Sequence, residues 1–414
     1  MRGFNSWSGR RRRTVAGAGA AIAVIAGFTA YNVASGDEGR PPRVDFVLGG
    51  GDDIYAKDDK QAIRGSYAGL AAAPDGTVTL FAQENDGMVM WQRRPSGAVK
   101  RTGITGMDSV TAEQAAVSPD GSVYLAAKDL WKVTPTGKAA KVVKGGCEKL
   151  DARTAASTFC TGRITGVAVA EDGSVYFGDQ VVWGDVASYV HKVEGDRVEL
   201  VAGRPPRDDE PYSRSNPAVQ NGIDPAPGTK AGDVLVTDVF NSGWLALGKD
   251  GLYWRTGEGI VRIKDDGTLS PLVAASAPGR IAEAKGPFES VGRARDAEIP
   301  RPSSTGRVGD LTLLSGRDEV YYTDAHGAYK PSLDSAYRWQ GASSATQKKL
   351  LEESSRGKLV HRVADGELSS VIAGVQAIAG SDDALYAAVE GRPDDAGKDP
   401  EDLSTAVVRV ELPD

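Results

Sequence analysis

Histidine and cysteine, the side chains that most often carry nucleophilic, acid–base and metal chemistry, number only three and two in 414 residues. Cys147 and Cys160 stand 13 apart in the segment GGCEKLDARTAASTFCTGR, and neither has a histidine beside it. A catalytic or metal role is therefore poorly supported. The pair predicts a structural disulfide, the form two cysteines take in an oxidising compartment. His191 and His361 recur in matching contexts, YVHKV and LVHRV, and read as repeat positions, while His326 stands by itself. No G-x-S-x-G nucleophile elbow occurs, and Gly49-Gly50-Gly51 lacks the lysine and helix of a phosphate loop. A Ser-His-Asp triad stays open, because its members are neighbours in space only. What remains is oxygen chemistry, in which acids converging on one point hold a divalent cation, and aromatic anchoring.

The elements that would position such groups are legible as an internal repeat. Four stretches share one form: LAAAPDGTVTLFA from Leu70, AAVSPDGSVYLAA from Ala115, VAVAEDGSVYFGD from Val167 and LALGKDGLYWRT from Leu245. Two weaker copies begin at Leu311 and Ala377. Each reads as a strand, a turn of the D-G type and a second strand, a strong hairpin signal because Gly accepts a positive φ. Two further strands follow, as in LWKVTPTGKAAKVVKGG from Leu130 and YVHKVEGDRVELVAG from Tyr189. Four antiparallel strands per unit, six times over, predict an all-β fold, a six-bladed β-propeller rather than one of seven blades. The sixth unit stops after its third strand, TAVVRVEL, while an orphan strand, RVDFVLGG, stands at residues 43–50. We expect that N-terminal strand to fill the C-terminal blade and close the ring.

The pattern of apolar strand, (P/E/K)DG, (S/T)VY, V-h-K-V and VAG resembles the NHL-repeat propellers over residues 43–414. In that family the second strand often ends in Asp, and here only Asp179 and Asp324 stand at that place. The resemblance implies a fold and not a function, since such propellers include scaffolds, receptors, sensors and a few enzymes. Residues before the inner strands should line one mouth of the central channel: Gly69, Gln114, Gly166, Trp244, Asp310 and Gln376, with Glu113 beside them. Long inserts near 203–232, 278–309 and 326–357 should converge on the same face, the last carrying Tyr337 and Trp339. Glu113, Gln114, Trp244, Asp310, Gln376, Tyr337 and Trp339 are thus the candidate ligand residues. Two functions fit: a non-enzymatic binding or sensor module for a protein, peptide or small polar ligand, or a lactonase-like hydrolase or lyase working at the mouth. No cofactor is called for, and a divalent cation in the channel stays open.

Composition narrows the partners. The 51 glycines exceed the roughly 7 % average and fit a chain with many tight turns. Five arginines and no acid fall in residues 1–35, so the remainder carries −12 against −7 for the whole chain. An acidic body lacks the basic face that nucleic acid requires. Arg10–Arg13 precede the uncharged run TVAGAGAAIAVIAGFTAYNVASG at residues 14–36. That layout predicts a signal anchor or a cleaved signal peptide over 1–36 and a linker over 37–42. The single propeller domain of 43–414 should then lie outside the cytoplasm, held to the membrane or secreted. No apolar surface stripe argues for an oligomer, and a monomer is expected.

Overall fold

The repeated Asp-Gly turns show how the sequence builds its blades. In the first three units the backbone folds Ala73–Gly76, Ser118–Gly121 and Ala170–Gly173 into turns closed by an N–H of the Gly donating to the first residue's carbonyl at 2.8–2.9 Å. Gly76, Gly121 and Gly173 have φ of +81°, +77° and +84°, which an L side chain resists. The aspartate before each Gly accepts the amide two residues on, as Asp120 does from Ser122 N at 2.9 Å. Its other oxygen meets Lys132 Nζ at 2.8 Å, and Lys132 lies over the Tyr124 ring at 5.4 Å. Lys132, and then Ser122 N, hold Asp120 down at about 2. The D, Y and K of the repeat are therefore one contact unit, and Asp250, Tyr253 and Arg262 rebuild it in the fourth copy.

The structure, a computed structural model, describes residues 44–49, 62–147, 154–181, 187–207, 225–237, 242–256, 259–273, 290–294, 310–324, 358–391 and 404–413. Six antiparallel sheets are arranged as a six-bladed β-propeller. Blade 1 holds Ser66–Ala72, Val78–Glu84, Gly87–Arg93 and Val99–Gly103. Blade 2 holds Gln114–Val117, Val123–Ala126, Leu130–Val133 and Ala139–Val143. Blade 3 holds Arg163–Val169, Val175–Val181, Ala187–Glu194 and Arg197–Ala202. Blade 4 holds Ser242–Gly248, Gly251–Thr256, Ile260–Ile263 and Leu269–Val273. Blade 5 runs Leu311–Leu314, Glu319–Asp324, Lys358–Ala364 and Glu367–Val375, with Ser290–Arg293 added outside the last. Blade 6 takes Ala377–Gly380, Leu385–Gly391 and Ser404–Val410 from the C-terminal region and Val44–Leu48 from the N-terminal one. The expected closure is therefore present, with Val44 opposite Val410 and Leu48 opposite Val407.

The hydrophobic clusters lie between blades rather than within them. Leu70, Leu80 and Trp91 of blade 1 pack with Ala377, Tyr386 and Val407 of blade 6, for example. Connections between blades also enter these seams. Met107 and Ala112 fill the seam of blades 1 and 2, and Ala156 and Phe159 that of blades 2 and 3. Ala231, Val234 and Val236 fill the seam of blades 3 and 4. The described parts of the 203–232 insert thus strap a seam, with Ala231 N donating to Gly267 O and Gly203 N to Ala231 O, both at 2.9 Å. Likewise, the 278–309 insert contributes the fifth strand of blade 5. The 326–357 insert, with Tyr337, Trp339 and His326, lies outside the described residues, as do residues 1–43. Outer strands carry Lys100, Arg101, Lys141 and Pro271, which discourage pairing with another chain's edge.

Cys147 and Cys160 form the expected disulfide, with Cα atoms 5.9 Å apart. It ties the end of blade 2 to the start of blade 3, where Lys144 and Cys160 make a β-bridge. Closing so short a loop is worth about 3 kcal/mol in the chain-entropy model. Reduction should therefore lower the unfolding free energy by about 3 kcal/mol, read as a drop in urea midpoint with and without a phosphine reductant.

Candidate functional site

Every inner strand starts on the face opposite the Asp-Gly turns, here the loop face, and runs toward the turns. In blades 2, 5 and 6 the residue before or at that start, Gln114, Asp310 or Gln376, stands at the loop-face mouth of the channel. Gly69, Gly166 and Trp244, expected ahead of their strands, lie instead inside strands that already begin at Ser66, Arg163 and Ser242. Gln114 occupies that place in blade 2, is 9 % exposed, and has Gly69 and Gly166 at the matching positions of the two adjoining blades. Its side-chain amide reaches across the axis. Nε2 donates to Leu245 O at 2.5 Å and to Leu311 O at 2.7 Å. Oε1 accepts from Val167 N and Leu245 N, both at 3.0 Å. The four contacts use both amide protons and both oxygen lone pairs. Gln114 thereby joins blade 2 to blades 3, 4 and 5 and bars the channel. On its turn side lies a shaft of about 170 Å³, walled by Ala72, Ala116, Val169, Leu247, Leu313 and Ala379.

The other mouth residues are engaged too. Glu113 forms an ion pair with Arg163 of blade 3. Trp244 is only 2 % exposed and packs between blades 4 and 5 with Tyr253, Leu311 and Tyr322. Arg255 stacks over it at 5.6 Å, is 1 % exposed, and donates from Nη1 to Thr323 O at 2.6 Å. Gln376 is half-buried, and its backbone N–H donates to Ala388 O at 2.8 Å.

Asp310 carries the strongest signs of a functional carboxylate. Its φ is +111°, a strained value for a non-glycine residue, and it is 3 % exposed. Oδ2 accepts from Ile378 N of blade 6 at 3.2 Å and lies 3.6 Å from Lys358 Nζ. Burial pushes the carboxyl up to about 6, while Lys358, the Ile378 amide and Arg255 pull the other way. Burial and the charges of Asp310 and Glu390 raise the Tyr67 phenol in turn. Glu390 Oε2 accepts from Tyr67 N at 2.6 Å. Asp310, Lys358, Arg255, Tyr67 and Glu390 thus gather near the axis from blades 1, 4, 5 and 6. Of these only Asp310 was singled out by sequence. Arg255 had a readable signal, because the matching residues of the other blades are Phe81, Ala126, Gly178, Thr323 and Ala388. Lys358 and Glu390 sit at strand ends beside long connections, where the repeat has no fixed residue.

Among the described residues no group of three His, Cys, Asp or Glu stands close enough to hold a metal ion. None of the described helices is long and apolar enough to cross a membrane, and residues 14–36 lie outside that description. No protein-family model and no curated protein sequence matches the chain. Solved structures do share its form. A streptogramin B lyase is 12 % identical with a TM-score of 0.40, over 89 % of this chain and 97 % of that one. A gluconolactonase from Xanthomonas campestris is 12 % identical with a TM-score of 0.41, over 90 % and 95 %. An auxiliary nutrient binding protein from Bacteroides ovatus is 10 % identical with a TM-score of 0.46, over 90 % and 78 %. At these values the likeness concerns form alone, and the chain's chemistry has to be argued from its own residues.

Proposed function

We propose that the protein is a non-enzymatic binding module of the extracytoplasmic space, taking a small polar ligand or a peptide at the loop-face mouth of its channel. The observation that supports this is how the mouth spends its acids. Glu113 is held by Arg163, Asp310 by Lys358 and the Ile378 amide, and Glu390 by the Tyr67 amide. They stand on different blades and each accepts from a donor of the protein, whereas a catalytic cation needs several oxygens aimed at one point. Alternating charge around a barred channel suits recognition of polar groups. The disulfide and the basic-then-apolar order of residues 1–36 support the compartment.

One observation favours the hydrolytic reading: Asp310 combines backbone strain with a carboxyl that burial pushes up to about 6, as catalytic acids do. The two readings separate in one set of measurements. Melting of the purified protein is followed with Ca²⁺, Mg²⁺ or EDTA, lactone and ester hydrolysis is assayed, and a set of polar small molecules and peptides is screened for binding. We expect ions and chelator to leave the melting temperature unmoved and no turnover above buffer. We expect binders whose Kd rises at least about tenfold, or 1.4 kcal/mol, in Asp310→Ala. Cation-dependent turnover that disappears in Asp310→Asn would establish the hydrolase instead.

A further inference from the structure

The inner strand of each blade has a neighbouring strand on one side only, so its other edge turns backbone N–H and C=O groups toward the axis. Every second residue of a strand points its backbone the same way, about 7 Å further on. The axis is therefore ringed by backbone groups at successive depths. Side chains hold the ring nearest the loop face. Gln114 takes Val167 N, both backbone groups of Leu245, and Leu311 O, and Asp310 Oδ2 takes Ile378 N.

The next ring lies in the shaft of about 170 Å³ on the turn side of Gln114. In blades 1 to 3, Ala73, Ser118 and Ala170 donate within their own hairpins, to Thr77 O, Ser122 O and Ser174 O at 2.8–2.9 Å. By the alternation of an antiparallel ladder, the residues before them, Ala72, Val117 and Val169, turn their backbone groups to the axis. Leu247 and Leu313 do so in blades 4 and 5, two residues beyond Leu245 and Leu311. All five line the shaft. Their side chains are spent elsewhere, each packing into a different seam between blades. Among the described residues no side chain is bonded to this ring as Gln114 is to the one above. The shaft thus offers a ligand backbone donors and acceptors together.

That offer selects a class of molecule. An ion entering the shaft would exchange its hydration for backbone dipoles alone, which is costly. The only charged residue on the lining is Asp382, exposed at the turn-side rim, where Oδ1 accepts from Ser315 Oγ at 2.7 Å. A neutral group with both N–H and C=O fits, and a cavity of about 150 Å³ holds a molecule of benzene's size. We propose that this shaft is a second binding site, taking a small neutral carboxamide that pairs with the backbone edges of Val117, Val169, Leu247 and Leu313 as the Gln114 amide pairs with the ring above. The site opens on the face opposite the loop-face mouth and stands whether or not that mouth binds a ligand.

The test is a titration of the intact ¹⁵N-labelled protein followed by backbone amide shifts. Propionamide is the probe, propionate is its anionic counterpart, and butanone is the neutral one that cannot donate. Propionamide should shift the amides of Val117, Val169, Leu247 and Leu313 saturably, with a Kd on the order of 1 mM, which about five heavy atoms can supply. Propionate and butanone should bind at least about tenfold more weakly, because each leaves buried partners unmatched. Gln114→Ala gives a second readout, since acetamide is the deleted group with a hydrogen added. Acetamide should shift the Val167 and Leu245 amides of that variant as well, and raise its melting temperature more than the parent's. If the variant fails to fold, the parent titration decides alone. Butanone binding as well as propionamide would make the shaft an apolar cavity and overturn the proposal. So would shifts that fall outside the shaft, or no saturation at about 100 times the expected Kd.

Discussion

Gln114→Ala should lower the unfolding free energy by about 3 kcal/mol, with the loss visible as a shifted urea midpoint at unchanged slope. The change removes four hydrogen bonds at once and leaves Val167 N, Leu245 N, Leu245 O and Leu311 O facing an unfilled axis. A typical intramolecular hydrogen bond contributes only about 1 kcal/mol net, but a buried backbone group left unmatched costs about 1–3 kcal/mol. The shaft beneath Gln114 admits water, which can satisfy part of that deficit. Hence the expected loss is about 3 kcal/mol rather than the sum of four full penalties. Gln114→Glu supplies a sharper comparison. A carboxylate matches the Val167 and Leu245 amides but turns an anionic oxygen toward two carbonyls. It should therefore be less stable than Gln114→Ala near neutral pH and recover on acidification, when the protonated acid donates one of the two lost bonds. Equal stability of Gln114→Ala and the parent protein would show that the bar across the channel contributes nothing, and that the blades are held by their seams alone.

Gln114 also marks the boundary of what the sequence conveys. The repeat was readable because its determinants are local: Asp120 caps its own turn, pairs with Lys132 and places that cation over Tyr124, all within 13 residues. Blade number and the closing strand follow from counting such units. The position of Gln114 at the channel mouth was legible for the same reason. Its role was not, because its partners are backbone groups 53, 131 and 197 residues away. Backbone atoms leave no signature in residue type. Trp244 illustrates the converse, since an aromatic at a channel mouth reads as a ligand anchor until Arg255, which stacks over it, is placed. The inserts around 203–232 and 278–309 read as loops, having little regular apolar spacing. Yet Ala231, Val234 and Val236 are buried because one short segment suffices to fill a seam. Asp179 was visible as one of two residues that keep an aspartate at the end of the second strand, but its burial against His191 needed the disulfide segment folded over it.

Removal of residues 1–49 should cost the propeller its cooperative unfolding, an effect larger than any single side-chain change. Val44–Leu48 is the outermost strand of a blade whose other three strands come from residues 377–410, so its pairing joins the two ends of the ring, with the Arg64–Ser404 bridge and the Thr405 N to Ile63 O bond beside it. Without it the edge of Ser404–Val410 is bare, including Ala406, Val407 and Val408, which are fully buried in the closed ring. Val47 and Leu48 are 6 % and 1 % exposed, and each is worth about 1.5–3 kcal/mol of apolar burial. They also pack with Ile63, Ala388 and Val407, so the loss spreads into the seam of blades 6 and 1. Together with the ladder this approaches the roughly 5–15 kcal/mol that holds a whole domain folded. The bare edge is itself a pairing template, and the truncated chain should elute as dimers and larger species at micromolar concentration. A point change separates closure from chain length: Leu48→Asp keeps every residue but puts a charge into the seam, and should broaden the melt in the same direction. Adding a peptide of residues 43–50 in trans should restore the monomer and sharpen the transition. A truncated chain that stays monomeric and melts as sharply as the parent would mean that the six blades are held by their seams, and that the terminal strand is an ornament to a ring already closed.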